Sequence, residues 1–326
     1  MGEVPMLHAQ NLLILTSPPA SGKTFWIESL IAAGLESLLI ISPLRALKDE
    51  CLEKWGAGVN VVTPEEWLLK PQYAEVVIFD EFHLNYYWGD TFRPCLWEVF
   101  FGLSSSAALT ILLTATLSDP MLEEMEEFKR HFDKIFWLDF GNQRLKFSPT
   151  RYVKCPSRLW VEDLITCGPR GKGVSLIFCP YRKDVFNWER KLAQLGYTSW
   201  TCVGGEAKYF KEKIRRERVP DFIIATSVLS HGVNLPSISC IFFLYPLQNI
   251  DFWIQMVARG GRRGESYEVF ALENPFGIKW NWWINCLAIL WLSLRIQINH
   301  SLRESAPWFL KESSLARSPI KKGILS

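Results

Sequence analysis

No Cys-X-X-Cys pair occurs in this 326-residue sequence, and no two of its eight cysteines stand closer than twelve positions. That spacing encodes neither a zinc knuckle nor a thioredoxin-type pair. Met1–Gln10 has neither a basic start nor an apolar run, so no secretory leader is expected and no disulfide framework with it. The expectation is a reduced, cytoplasmic chain. Membrane-length apolar runs are absent too: the best candidate, Trp280–Leu294, is 15 mostly apolar residues interrupted by Asn281 and Asn285. As a helix it would span roughly 22 Å, short of a hydrocarbon core of about 30 Å. It reads as a buried or docking helix, and no membrane partner is expected.

Basic residues are scarce in the first part of the chain. Residues 1–142 hold 9 lysines and arginines against 20 acids, whereas residues 143–326 hold 27 against 14. The formal net charge of +2 hides this split. It suggests two domains that face each other, with any polyanion lying on the second. A hydrophobic content of 48% with 21% charged residues excludes a disordered chain, and the length suits two domains.

Short apolar runs alternate with helical stretches, the mark of parallel α/β units. The spacing predicts buried strands at Leu12–Leu15, Leu38–Ile41, Val59–Val62, Val76–Phe79 and Leu109–Leu113. A second set is predicted at Ser175–Phe178, Phe222–Ala225, Ser239–Leu244 and Tyr267–Leu272, with Leu138–Pro156 as the crossover between them. The expected fold is α/β, two parallel-sheet domains at 1–142 and 143–275, followed by a Trp-rich helical tail at 276–326. The end of that tail, Ser313–Ser326, is expected to be mobile.

The first strand runs into Ser17-Pro-Pro-Ala-Ser-Gly-Lys-Thr24. A phosphate-binding loop needs inward-pointing backbone N–H groups and a helix N-terminus behind them. Ser21 and Gly22 supply that backbone, Lys23 a charge for the β- and γ-phosphates, and Thr24 a hydroxyl for Mg²⁺. The fourth strand ends in Asp80-Glu81-Phe82-His83. After a phosphate loop this pair has a use: Asp80 holds Mg²⁺ and Glu81 activates the attacking water. The intervening αβ units are expected to bring this strand beside the loop strand. Thr114-Ala-Thr116 closes the fifth strand and fits a segment coupling nucleotide to the partner domain. In the second half, Gln255-Met-Val-Ala-Arg259-Gly-Gly-Arg262 places two arginines on one face of a helical turn, where they would reach across a cleft to a γ-phosphate.

In this order the motifs resemble those of superfamily 2 helicases across roughly residues 10–270. Segments around Arg45, Thr63, Cys179 and Thr226–Pro236 resemble the intermediate motifs. The resemblance implies two RecA-like domains, ATP and Mg²⁺ as cofactors, Gly232 near the phosphates, and strand contacts from Arg45, Thr63, Arg182 and Thr226. It places His83, Thr114 and Thr116 in coupling. The passage His83-Leu-Asn-Tyr-Tyr-Trp88-Gly-Asp-Thr-Phe92-Arg93-Pro94 resembles the aromatic-rich loop of RecQ helicases, in which Trp88 and Phe92 would stack on bases and Arg93 would add charge. The partner is then single-stranded or partly duplex nucleic acid, DNA favoured over RNA, and the polarity 3′ to 5′. No four-cysteine module or winged-helix length follows the last motif, and only about 15 residues precede the phosphate loop. A nucleotide-gated clamp without unwinding is therefore the alternative. Lys208–Arg218, with six positive charges in eleven residues, reads as a solvated basic helix before it reads as a nucleic-acid ramp. The Trp-rich tail could be a strand-separating pin, a lid on the second domain or a dock for a protein partner.

Overall fold

The computed structural model describes residues 10–272 apart from 36, 170, 172, 231–234 and 248. The Trp-rich segment, the tail end and Gly232 lie outside the described residues. None of the described helices is long and apolar enough to cross a membrane.

The first sheet contains β1 (Asn11–Thr16), β2 (Leu38–Ile41), β3 (Asn60–Val62), β4 (Val76–Phe79), β5 (Leu109–Thr114) and β6 (Lys134–Asp139), in the order β3-β2-β4-β5-β1-β6. The second contains β7 (Arg151–Cys155), β8 (Val174–Phe178), β9 (Ser199–Cys202), β10 (Phe222–Ala225), β11 (Ile238–Phe243) and β12 (Glu268–Leu272), in the order β7-β12-β11-β8-β10-β9. Every pairing is parallel.

Central strands of such sheets are apolar on both faces because helices cover both. Along β2 and β4, Leu39, Ile41, Val77 and Phe79 enter one core cluster while Leu38, Ile40 and Ile78 enter another. In the second sheet, Leu176, Phe178, Ile241 and Phe243 face one way, and Ile177, Cys240 and Phe242 the other. Phe242 is fully buried and stacks on Phe270 at 5.2 Å; burying such a ring contributes about 2–3 kcal/mol.

Three strands escaped the reading of the sequence: β6, β7 and β9. All three are sheet edges. An edge strand is covered less completely, so its residues need not form an apolar run. The passage expected to be a single crossover opens with the last two residues of β6 and contains β7. A second correction concerns neighbours. The acidic pair does not follow the strand beside the phosphate loop, because β5 lies between β4 and β1.

The basic helix α9 (Ala207–Arg216) is neither purely solvated nor a free ramp. It is met by α2 (Arg45–Trp55) of the first domain: Lys211 donates to the Ala46 carbonyl at 2.7 Å and faces Glu50 at 3.6 Å, and Arg215 pairs with Glu53 at 2.6 Å. The acidic and basic halves thus meet directly. Both side chains of the Arg215–Glu53 pair are more than half exposed, so the pair contributes under about 1 kcal/mol. Arg215→Glu is expected to widen the inter-domain distance measured by fluorescence energy transfer at low salt, with recovery in Arg215→Glu/Glu53→Arg. An unchanged distance at every ionic strength would remove this pair from domain closure.

Candidate active site

β1 delivers the chain to a loop whose geometry follows from its small residues. Ser17 takes the place of the usual first glycine without a left-handed backbone, and its hydroxyl accepts from the Ser21 hydroxyl at 2.8 Å. Ala20 and Gly22 adopt positive φ (61° and 109°), and Gly22 caps α1 (Lys23–Ala32) with no side chain over the helix end. Lys23 bends back so that its ammonium donates to the Ser17 carbonyl at 3.1 Å.

The residue after Asp80 is strained as well. Glu81 sits at φ 48°, a left-handed conformation unusual for a side chain with a Cβ, and its N–H donates to Asp80 Oδ1 at 2.9 Å. Helix α4 (His83–Gly89) follows. His83 is buried, with Nδ1 3.0 Å from Thr114 Oγ1 and 3.5 Å from Glu81 Oε2. Thr114 spends its own proton on the Thr116 carbonyl and accepts from the Thr116 N–H. The network therefore assigns the His83 proton to Nδ1. Burial lowers the His83 pKa, with nearby Glu81 opposing, which favours the neutral ring. The coupling trio of the sequence reading is thus one buried chain from Glu81 through His83 and Thr114 to Thr116, made possible by β5 standing next to β4.

From the second domain come Gln255, on α10 (Ile250–Val257), and the two arginines. The arginines are not on a helical face as expected. The helix ends at Val257, and Arg259 and Arg262 lie on the turn beyond it. That turn is pressed onto Tyr267: a Cβ at Gly260 would come within 2.3 Å of the ring and one at Gly261 within 2.7 Å. Tyr267 in turn donates to the Phe147 carbonyl at 2.8 Å, so the turn rests on a fixed ring.

Gly22, Lys23, Thr24, Asp80, Glu81, Gln255, Arg259 and Arg262 line one cavity of about 270 Å³ between the domains. Its charges are unbalanced locally. Burial, reinforced by Glu81, pushes Asp80 up to about 7, and burial lowers Lys23 against the pull of Glu81 and Asp80. Arg259 is held well below its ordinary value by burial and by Arg262. The Gln255 amide nitrogen is buried there without a hydrogen-bond partner among the described residues. Two like-charged carboxylates, two like-charged guanidiniums and an unused donor fit an anion chain with a divalent cation, here a triphosphate with Mg²⁺.

A stability prediction follows from Asp80. Its proton is held more tightly in the folded than in the unfolded protein. Its contribution to stability is therefore present at low pH and fades as pH rises from the ordinary carboxylate range to about 7. Nucleotide-free Asp80→Asn should be more stable than wild type at pH 8 by about 1–2 kcal/mol and nearly equal to it at about pH 4. Thermal melts at the two values test this; an equal difference at both would discard the assignment.

Of the expected nucleic-acid contacts, Arg45, Thr63, Arg182 and Thr226 lie on loops or helix starts after strand ends, the rim where parallel sheets bind ligands, while Trp88 is near the end of α4 and Phe92 and Arg93 follow it. Arg45 opens α2 and is exposed, Arg182 opens α8 (Arg182–Gln194) and is exposed beside Glu206 at 3.8 Å, and Thr226 follows β10 half-buried. Phe92 is 70% exposed and packs on half-buried Trp88 at 5.6 Å. Two of the expected contacts have side chains already engaged within the protein. Thr63 is fully buried, and its hydroxyl caps α3 (Pro64–Leu69) in a reciprocal box with Glu66. Arg93 is engaged by a two-pronged bond to Glu65 at 2.7 and 2.8 Å and by the Pro43 carbonyl. That pairing holds Glu65 down to about 2. The sequence reading passed over Tyr181, 63% exposed immediately before Arg182, as well as Tyr87, Gln143 and Asp251, which bridge the domains. An acid inside the apolar stretch Ile250–Ile254 was the available signal for Asp251.

Residues 160–264 match the helicase conserved C-terminal domain family. A DEAD-box ATP-dependent RNA helicase 5 of Oryza sativa subsp. japonica is 27% identical over 105 residues, 30% of this chain and 20% of the relative. The ATP-dependent RNA helicase dbp8 of Aspergillus niger is 27% identical over 177 residues, 50% of this chain and 34% of the relative. The matches span only a fifth to a third of these two relatives. In fold, the chain is similar to S. cerevisiae Dbp5 bound to RNA and ADP BeF3, with a TM-score of 0.65 at 18% identity over 80% of this chain and 79% of that one. These relatives are RNA helicases, so the DNA preference and 3′ to 5′ polarity expected from the RecQ resemblance find no support in them. Both sheets share that fold, two parallel-sheet α/β domains in tandem, and the second domain matches the helicase conserved C-terminal domain family.

Proposed function

We propose that this chain is an RNA-dependent ATPase that converts hydrolysis between its two domains into movement or strand separation on RNA. One observation carries the reading: Lys23, Asp80 and Glu81 of the first domain and Gln255, Arg259 and Arg262 of the second line a single cavity. In this reading the backbone around Ser21 and Gly22 and the Lys23 ammonium hold the phosphates. Thr24 and Asp80 would hold Mg²⁺, which when bound offsets phosphate charge. Glu81 orients and deprotonates the attacking water, and Gln255, Arg259 and Arg262 stabilise charge that develops on the transferred group. Because the two sets sit on different domains, only a closed cleft assembles both.

RNA is favoured over DNA because the relatives are RNA helicases. The exposed rim residues Arg45, Phe92 and Arg182 and half-buried Thr226, with Trp88 behind Phe92, would hold a strand through its backbone and through stacking. The test is ATP hydrolysis by the full chain with single-stranded RNA, single-stranded DNA or neither. Stimulation by RNA of tenfold or more, lost in Lys23→Ala, supports the reading. Stimulation by DNA alone would reverse the substrate, and turnover indifferent to both polymers would leave a nucleotide-gated clamp.

A further inference from the structure

One inter-domain contact outside the cavity centres on an acid to which the chemistry above gives no role. Asp251, in the first turn of α10, is fully buried. Its Oδ2 accepts from the Tyr87 hydroxyl at 2.5 Å, and its Oδ1 accepts from the Gln143 side-chain amide at 2.9 Å. Tyr87 belongs to α4 of the first domain, and Gln143 lies in the segment between β6 and β7, tied to the first domain by its N–H donating to the Ala115 carbonyl at 3.1 Å. Asn249 fixes the helix start by accepting from the N–H groups of Asp251 and Phe252, and the Phe252 ring packs on Tyr87 at 5.0 Å. One turn along the same helix lies Gln255, and Arg259 follows just past its end.

The other end of the contact is equally placed. On α4, Tyr87 stands one turn after His83, with the rings 6.4 Å apart, and His83 touches the Glu81 and Thr114 network. The next residue, Trp88, packs on Phe92 and lies under the Arg93 guanidinium at 5.8 Å. A single seven-residue helix therefore joins the buried chain at Glu81 to the exposed aromatic corner, and Tyr87 is its point of contact with the second domain.

We propose that Asp251 is a positioning residue: held by Tyr87 and Gln143, it sets the register of α10 so that Gln255, Arg259 and Arg262 enter the cavity when the aromatic corner engages a strand. The inference rests on the RNA-dependent ATPase reading. A buried carboxylate needs its donors, and in an open cleft water replaces both, so the two bonds favour the closed arrangement over the open one. Neither Asp251 nor its two donors has to touch nucleotide for this to work. The effect acts on the placement of the arginines.

The experiment compares wild type, Tyr87→Phe, Asp251→Ala and Asp251→Asn in steady-state ATP hydrolysis, with and without saturating single-stranded RNA. Tyr87→Phe keeps the ring on Phe252 and removes only the hydroxyl. It should lower the RNA-stimulated kcat by about ten- to a hundredfold, since a small misplacement of a reacting group has effects of that order. Its RNA-independent rate and its KM for ATP should stay near wild type. Asp251→Ala should behave like Tyr87→Phe. Asp251→Asn should recover most of the stimulated rate, because its amide oxygen still accepts from Tyr87 and the Gln143 amide can rotate to meet its NH₂. A stimulated kcat unchanged in Tyr87→Phe, or stimulated and basal rates reduced by one common factor, would overturn the positioning role alone. A wild type that ignores RNA would overturn the ATPase reading together with it.

Discussion

Glu81→Gln is expected to lower ATP turnover by about a hundred- to ten-thousandfold while leaving nucleotide binding nearly intact. The substitution keeps the size of the side chain and removes its capacity to take a proton from water. It also removes the negative charge that helps hold the neighbouring Asp80 above the ordinary carboxylate range and that opposes the burial shift on Lys23. The cation site should then be no weaker than in wild type, because Asp80 ionises more readily once its like-charged neighbour is neutral. Single-turnover hydrolysis with RNA present, beside equilibrium binding of a fluorescent ATP analogue, separates the two effects. Equal losses in binding and turnover would make Glu81 a structural acid. Turnover within threefold of wild type would place the base elsewhere. The left-handed backbone at Glu81 agrees with a functional demand, since a strained residue persists only where its surroundings hold it.

The second large effect is at Arg259. Arg259→Met should reduce RNA-stimulated hydrolysis by about a thousandfold or more, the range seen when an arginine that completes a phosphoryl-transfer site is lost. Stability should move the other way. The guanidinium is buried beside Arg262, and both burial and that neighbour disfavour its charge in the nucleotide-free protein. Replacing it by an apolar chain of similar length removes the desolvation cost without opening a void, so the nucleotide-free melting temperature should rise. The extra stabilisation of wild type by a non-hydrolysable ATP analogue should shrink in the variant, as mass action requires when the closed state binds more weakly. Arg259→Lys keeps the charge but loses the planar fork, and should recover little activity. A variant that is both less active and less stable would indicate that Arg259 only supports the turn on Tyr267.

These expectations were legible in the sequence to different depths. Phosphate loops and acidic strand ends are local devices. The residues that make them are neighbours in the chain, and so Ser17–Thr24 and Asp80–Glu81 could be recognised without coordinates. The arginines were found by spacing, yet their support was misread: an apolar helix followed by Arg-Gly-Gly-Arg looks continuous. Only the Tyr267 ring beneath Gly260 and Gly261 explains why the helix gives way to a turn there. Thr63 and Arg93 carried the right chemistry for phosphate contact but had nearer partners. A threonine three residues before a glutamate at a helix start tends to cap, and an arginine within reach of a carboxylate forms a fork with it.

The sequence by itself determined the class of fold, the central strands of both sheets and the chemical inventory of the cleft. Apolar runs, phosphate loops and charge spacing are written by residues close together along the chain. Tertiary structure alone decided which strands close the sheets at β6, β7 and β9, that β5 stands between the loop strand and the acidic strand, and that α9 meets α2. It alone joined Tyr87 and Gln143 to Asp251 across separations of 164 and 108 residues. Such contacts depend on how two separate sheets come to rest against each other, and no local pattern of residue types encodes that distance.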